Sequence, residues 1–230
     1  YIKNYHEEVN AIIYNADKLK KYSIFNKAGS FSYANILQTA RDFERVKNVI
    51  LPEDEYKGVQ AYTTYYYQYF FTMLVMMFVI YDMFAQRDNG MWSITYSCAN
   101  GRIMYAIKQT GVIVVTGAFT HTLIYWSTFI AAMLQRGGVR DLVNPVQTIE
   151  TFDKFTYPWS KIKYVTVLYL ISMVCIVALC ITIWGVFVMF RNRVYALVTM
   201  LIFAAVEQFI YSHIDIHSVW NGLHYINTVS

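Results

Sequence analysis

The stretch YVTVLYLISMVCIVALCITIWGVFVMFRNRVYALVTMLIFAAVEQFIYS, residues 164 to 212, decides the fold. It holds two apolar runs, Tyr164–Phe190 and Val194–Ser212, separated only by Arg191-Asn192-Arg193. Each run reaches the roughly 20 residues that a helix needs to cross a hydrocarbon layer of about 30 Å. So short a turn makes the pair a tight antiparallel hairpin across a bilayer. Strands of a membrane barrel run to about ten residues with alternating polarity, so these lengths read as helices. The first run, about 27 residues at roughly 1.5 Å each, exceeds the layer and is expected to tilt or project beyond it.

Outward from this hairpin, Tyr65–Ala85 and Gly111–Leu134 repeat the pattern, which predicts four spans. The whole chain agrees: 57% of its residues are apolar and 15% charged, outside the range of an ordinary soluble domain. The expected fold is therefore an all-α, polytopic helical membrane protein at the cell membrane. A net charge of +4, spread along the chain, excludes the concentrated basic stripe of a nucleic-acid binder. Cys98, Cys175 and Cys180 fall where no disulfide framework is expected.

Before the first span the pattern changes. Ile2, Tyr5, Val9, Ile12, Ala16 and Leu19 recur at steps of three and four, one seam of a helix whose last turn carries Lys18, Lys20 and Lys21. After Gly29-Ser30, the residues Ile36, Ala40, Phe43, Val46 and Ile50 predict a second helix ended by Pro52. Residues 1–63 thus read as a helical hairpin region and 64–230 as the transmembrane domain. Tyr62, Tyr65, Tyr66, Tyr67 and Tyr69 are expected to form an interfacial belt, and Trp159 and Trp220 to mark the same face. Residues 1–63, the loop 135–163 and the segment 213–230 would then share one side. Lys and Arg do not orient the chain: Arg87, Arg102, Lys108, Arg191 and Arg193 on one side balance Arg136, Arg140, Lys154, Lys161 and Lys163 on the other. The two-arginine turn favours the cytoplasm.

Between the first two spans lies a polar island, 86–110, that opens with Arg87-Asp88-Asn89-Gly90. Asp88 or Asn89 is expected to cap a short helix from about Met91 to Ala99, with Asn100-Gly101 as a left-handed stop. Trp92 and Tyr96 are four residues apart on that helix, as are Ile94 and Cys98, which leaves apolar side chains facing a membrane surface or a groove in another protein. Arg102 and Lys108 then begin a helix that runs into the second span.

The order span, Asp88-Asn89-Gly90, Asn100-Gly101-Arg102, Lys108, span resembles the permease subunits of ABC transporters of the type 2 export class, over about Tyr65 to Ser230. The resemblance implies spans two to five of that family, with a first span before Tyr1, a sixth after Ser230, and an extracellular hairpin and re-entrant segment. It makes Asp88, Asn89, Gly90, Met91, Trp92, Ile94, Tyr96, Gly101, Arg102 and Lys108 a cytoplasmic coupling helix and its flanks, docked on a nucleotide-binding ATPase subunit. ATP and Mg would belong to that partner, and a second permease half or a second copy would complete the transporter. The loop from Gln135 to Lys163 is longer than the family's usual connection, and Asp88 stands where Glu is frequent.

Chemistry within the chain is sparse. Nothing matches Gly-x4-Gly-Lys-Ser/Thr, Gly-x-Ser-x-Gly or His-Glu-x-x-His, so no cofactor and no catalytic residue is expected here. His213, Asp215 and His217, with His224, have metal-ligand character, but a polar re-entrant segment is the preferred reading and no metal is assigned. His121 and Glu207 lie inside spans, where an ionisable group is costly, and are candidates for a substrate route or for interhelical hydrogen bonding. Thr116, Thr120, Thr122, Ser127 and Thr128, with Gly111 and Gly117, read as helix-packing positions. The functional expectation is an exporter permease for an amphipathic or hydrophobic substrate. The alternative is a membrane sensor or scaffold whose hairpin binds a peptide or envelope component.

Overall fold

The computed structural model describes residues 4–22, 30–52, 57–63, 68–88, 90, 97, 101–190 and 192–213. Its helices are α1 (Tyr5–Leu19), α2 (Phe31–Val46), α3 (Gly58–Thr63), α4 (Gln68–Met83), α5 (Ala85–Asp88), α6 (Gly101–Arg136), α7 (Lys161–Met189) and α8 (Arg193–His213). Three short 3-10 turns fill the loop between α6 and α7, and one isolated bridge, Pro145 with Ser160, is the extended pairing among the described residues. The protein is all-α. Helices α6, α7 and α8 are long and apolar enough to cross a membrane.

The first predicted span is the exception in length. α4 has 16 residues, about 24 Å at 1.5 Å per residue, and ends at a turn on Phe84 before α5 begins. The connection between the last two helices is as short as expected: α7 ends at Met189, and α8 starts at Arg193 with the Asn192 side chain accepting from the Val194 amide at 2.8 Å. α2 begins five residues earlier than Ile36, because Ser30 caps it by accepting from the Tyr33 amide at 3.2 Å.

By its contacts the chain divides into two units, Tyr1–Gln60 with Met133–Thr166, and Ala61–Ala132 with Val167–Ser230. In the first, α1 packs on α2. Backbones approach closely where a Cβ on Gly58 would meet the Cα of Gly137 at 2.6 Å, and the Lys57 amide donates to the Arg136 carbonyl at 3.1 Å. Asp141 and Lys161 form an ion pair buried at both ends, and the Val59 amide donates to Asp141 Oδ2 at 3.2 Å. Breaking one half of such a pair strands a charge, so the pair fixes the loop to both α3 and the start of α7. Gln147 Nε2 donates to the carbonyls of Phe155 and Tyr157 at 2.9 and 2.8 Å, which holds the loop's aromatic cluster in place. Burial raises the phenol of Tyr5 above its ordinary range, with Asp153 adding to the effect.

The second unit is a bundle of α4, α6, α7 and α8 around Met73, Met76, Met77, Ile80, Ile176, Ile183 and Phe187. The methionines are core filling. Of the two glycines expected at packing positions, Gly117 is buried against the Cys180 sulfur, whereas Gly111 has open space where a side chain would go. The small-residue expectation is thus corrected for Gly111.

A methyl group at residue 117 must displace Cys180. Gly117→Ala is therefore expected to lower stability by about 1–3 kcal/mol, with partial recovery in Gly117→Ala/Cys180→Ala, while Gly111→Ala stays near wild type. Thermal unfolding in detergent, followed by helical circular dichroism, reads all three; a neutral Gly117→Ala would contradict the close contact.

Candidate functional site

His121 lies at the centre of the second unit, fully buried on α6. Its Nδ1 is 3.3 Å from Thr72 Oγ1 on α4, and its Nε2 is 2.9 Å from Ser172 Oγ on α7. One imidazole thus joins three helices. Both hydroxyls also donate to their own helices, Thr72 to the Gln68 carbonyl and Ser172 to the Tyr169 carbonyl, each at 2.8 Å. With their hydrogens used, both hydroxyls turn lone pairs toward the ring. A neutral ring satisfies the arrangement with its one N–H donating to one hydroxyl while the other hydroxyl swings its hydrogen toward the bare nitrogen.

Aromatic side chains close the surroundings. Tyr69 stacks on His121 with centroids 5.5 Å apart, and Tyr125 lies at 5.8 Å. Tyr125 also meets Tyr62 and Tyr169 at 5.4 and 5.1 Å, and Tyr62 meets Phe129 edge-on at 5.2 Å. Thr122 shares a 2.9 Å hydrogen bond with the Tyr169 hydroxyl and donates at 2.7 Å to the Ala118 carbonyl. Tyr62 is buried and Tyr69 half-buried, so these two belong to the interior and not to the expected interfacial belt. Tyr65, Tyr66, Tyr67 and Trp220 lie outside the described residues.

A second cluster stands where α4 gives way to the island. Arg87 Nη1 donates to the carbonyls of Phe190 and Phe187, at 2.8 and 3.2 Å, at the C-terminal end of α7. Its guanidinium lies 4.9 Å from the Phe84 ring centroid, and Phe84 packs on Phe187 at 5.5 Å. Arg193, at the start of α8, lies over Tyr81 at 4.6 Å. These contacts were not legible in the sequence, since Arg87 and Phe190 are separated by 103 residues. A charged residue just past an apolar run was the signal present.

Of the island itself the structure describes parts. Asp88 closes α5, Gly90 adopts a left-handed φ of +73°, and Arg102 and Lys108 are exposed on the first turns of α6. Gly101 is the first residue of α6, so the expected left-handed stop there is corrected: among the described glycines, Gly90 takes that conformation. Asn89, Met91, Trp92, Ile94, Tyr96 and Cys98 lie outside the described residues. Glu207 is on α8, and its side chain is likewise outside the description. His213 ends α8 with its ring stacked on Phe209 at 4.3 Å, while Asp215, His217 and His224 are not described. Among the described residues no cluster of metal-ligating side chains occurs.

The His121 links separate two costs. His121→Leu removes the interhelical hydrogen bonds at nearly constant volume and is expected to cost about 0.6–2 kcal/mol. His121→Ala adds a cavity and should cost about 2–4 kcal/mol. Thermal unfolding in detergent tests the order; equal and negligible shifts would remove His121 as a structural hub.

Comparison with models of protein families, with curated proteins and with solved structures finds no match. The chain is an all-helical protein with three helices able to span a membrane, and its polar centre is a buried histidine hydrogen-bonded to two neighbouring helices.

Proposed function

We propose that the chain is the membrane-spanning permease subunit of an ATP-driven ABC exporter of the type 2 class, moving an amphipathic or hydrophobic substrate with energy from a separate cytoplasmic ATPase. The observation that carries this reading is the island between α4 and α6, whose order of acidic, glycine and basic positions resembles that of this class of permease. Since no family model matches, the reading rests on this order and on what the flanking helices do.

The flanking helices support it. α6 has 36 residues, about 54 Å, well beyond the roughly 30 Å of a hydrocarbon core. Its exposed Arg102 and Lys108 therefore have length available to stand clear of the lipid, as a docking element requires. Closure of the ATPase pair would push the island, and the helices attached to it would convert that push into alternating access or a lateral opening. His121 and Glu207 are then candidates to line the route.

A sensor or scaffold is the second reading. The observation behind it is the separate unit formed by Tyr1–Gln60 and Met133–Thr166, which exposes Phe31 and Ile50.

Co-purification separates the two. Expressed in its native host, the chain should retain a protein that bears a Walker A motif and hydrolyses ATP. Asp88→Lys/Arg102→Glu should lower its recovery at least about tenfold, the loss expected from reversing charges at a docked surface. Phe31→Ser should not change it. Absence of any such ATPase, with a folded chain, would leave the sensor reading.

A further inference from the structure

We infer that Arg87 is a positioning residue that locks the entrance of the island to the end of α7, so that displacement of the island is delivered to the α7–α8 turn. The inference rests on the permease reading for the source of the push, and on the geometry for the lock. The last carbonyls of a helix have no intrahelical partner. The carbonyls of Phe187, in the last turn of α7, and of Phe190, the residue just past it, receive hydrogen bonds from one nitrogen of Arg87, at 3.2 and 2.8 Å. A cation at this end also meets the negative pole of the α7 dipole.

The contact is braced on both sides. Phe84 lies beneath the guanidinium at 4.9 Å, is fully buried, and packs on the equally buried Phe187. Across the turn, Arg193 stacks on Tyr81 at 4.6 Å. Each arginine is thus seated on an aromatic ring of the α4–α5 segment, and one of them also holds α7 by its backbone. Backbone carbonyls cannot rotate away independently, as side-chain partners would. Movement of α5 along or across the membrane must therefore carry the end of α7 with it or break charge-assisted hydrogen bonds. The short α7–α8 connection, with Asn192 capping α8, passes the movement on.

Hydrogen exchange read by mass spectrometry tests both halves. In the full chain in nanodiscs, Arg87→Gln should speed exchange across residues 184–190 at least about tenfold, and Arg136→Gln should not. Unchanged exchange in Arg87→Gln overturns the lock. In the complex with the co-purified ATPase, ATP should alter exchange both at 84–90 and at 186–196 in the wild type. Arg87→Gln should keep the first response and lose the second; persistence of the second overturns the transmission role. Failure of any ATPase to co-purify overturns the permease reading and the transmission role with it, while the nanodisc arm still decides the lock.

Discussion

In a hydrocarbon layer no water is available to a polar group, so each must find its partner within the protein. This constraint organises the described part of the bundle. Thr72, Thr122, Thr128, Thr182 and Thr199 all donate to carbonyls one turn back on their own helices. Their hydroxyls are thereby satisfied within their own helices, buried or exposed. The ring nitrogens of His121 are satisfied instead from neighbouring helices. The ring draws on Thr72 and Ser172 and so imposes a fixed register on α4, α6 and α7. A packing contact between apolar side chains can slide by a fraction of a turn; a ring bonded at both nitrogens cannot.

The same constraint operates at the helix ends. α7 finishes with carbonyls that need donors, and Arg87 supplies them from α5. The arginine's long stem lets its charged head reach the helix end while the stem stays against Phe84. In the first unit the equivalent problem is met by Asp141, which takes up both the Lys161 ammonium and the Val59 amide. In both cases a single charged side chain ties a short element to the end of a helix.

How far these features were legible depended on the range of the interaction. Spans followed from composition, and the α7–α8 turn from a count of residues, because both are local. The α1–α2 pairing followed from one apolar seam on each helix, although the start of α2 depended on the Ser30 cap and not on the first apolar repeat. His121 stood out because an ionisable residue in an apolar run is costly anywhere, yet its partners were not visible, since Thr72 and Ser172 look like every other hydroxyl in a span. Gly111 and Gly117 are identical in sequence terms, and only the neighbour differs: Cys180 for one, open space for the other. Arg87 read as one charge in a polar island; its meaning lay in two carbonyls, which the sequence does not distinguish.

The end of α4 has a local geometry of its own. α4 alone is shorter than the layer, but the Phe84 amide still donates to the Ile80 carbonyl at 3.0 Å, and the Arg87 amide to the Phe84 carbonyl at 3.1 Å. The chain therefore tightens at Phe84 without leaving the helical path, from an i to i−4 bond to an i to i−3 bond. Taken together, α4 and α5 run from Gln68 to Asp88, about 31 Å, of which α4 is the apolar part and α5 carries Arg87 and Asp88. Ile80, Phe84 and Arg87 are spaced i, i+4, i+7, one face of a helical path. Ile80 and Phe84 on that face are fully buried, and the same face carries Arg87 to the α7 carbonyls.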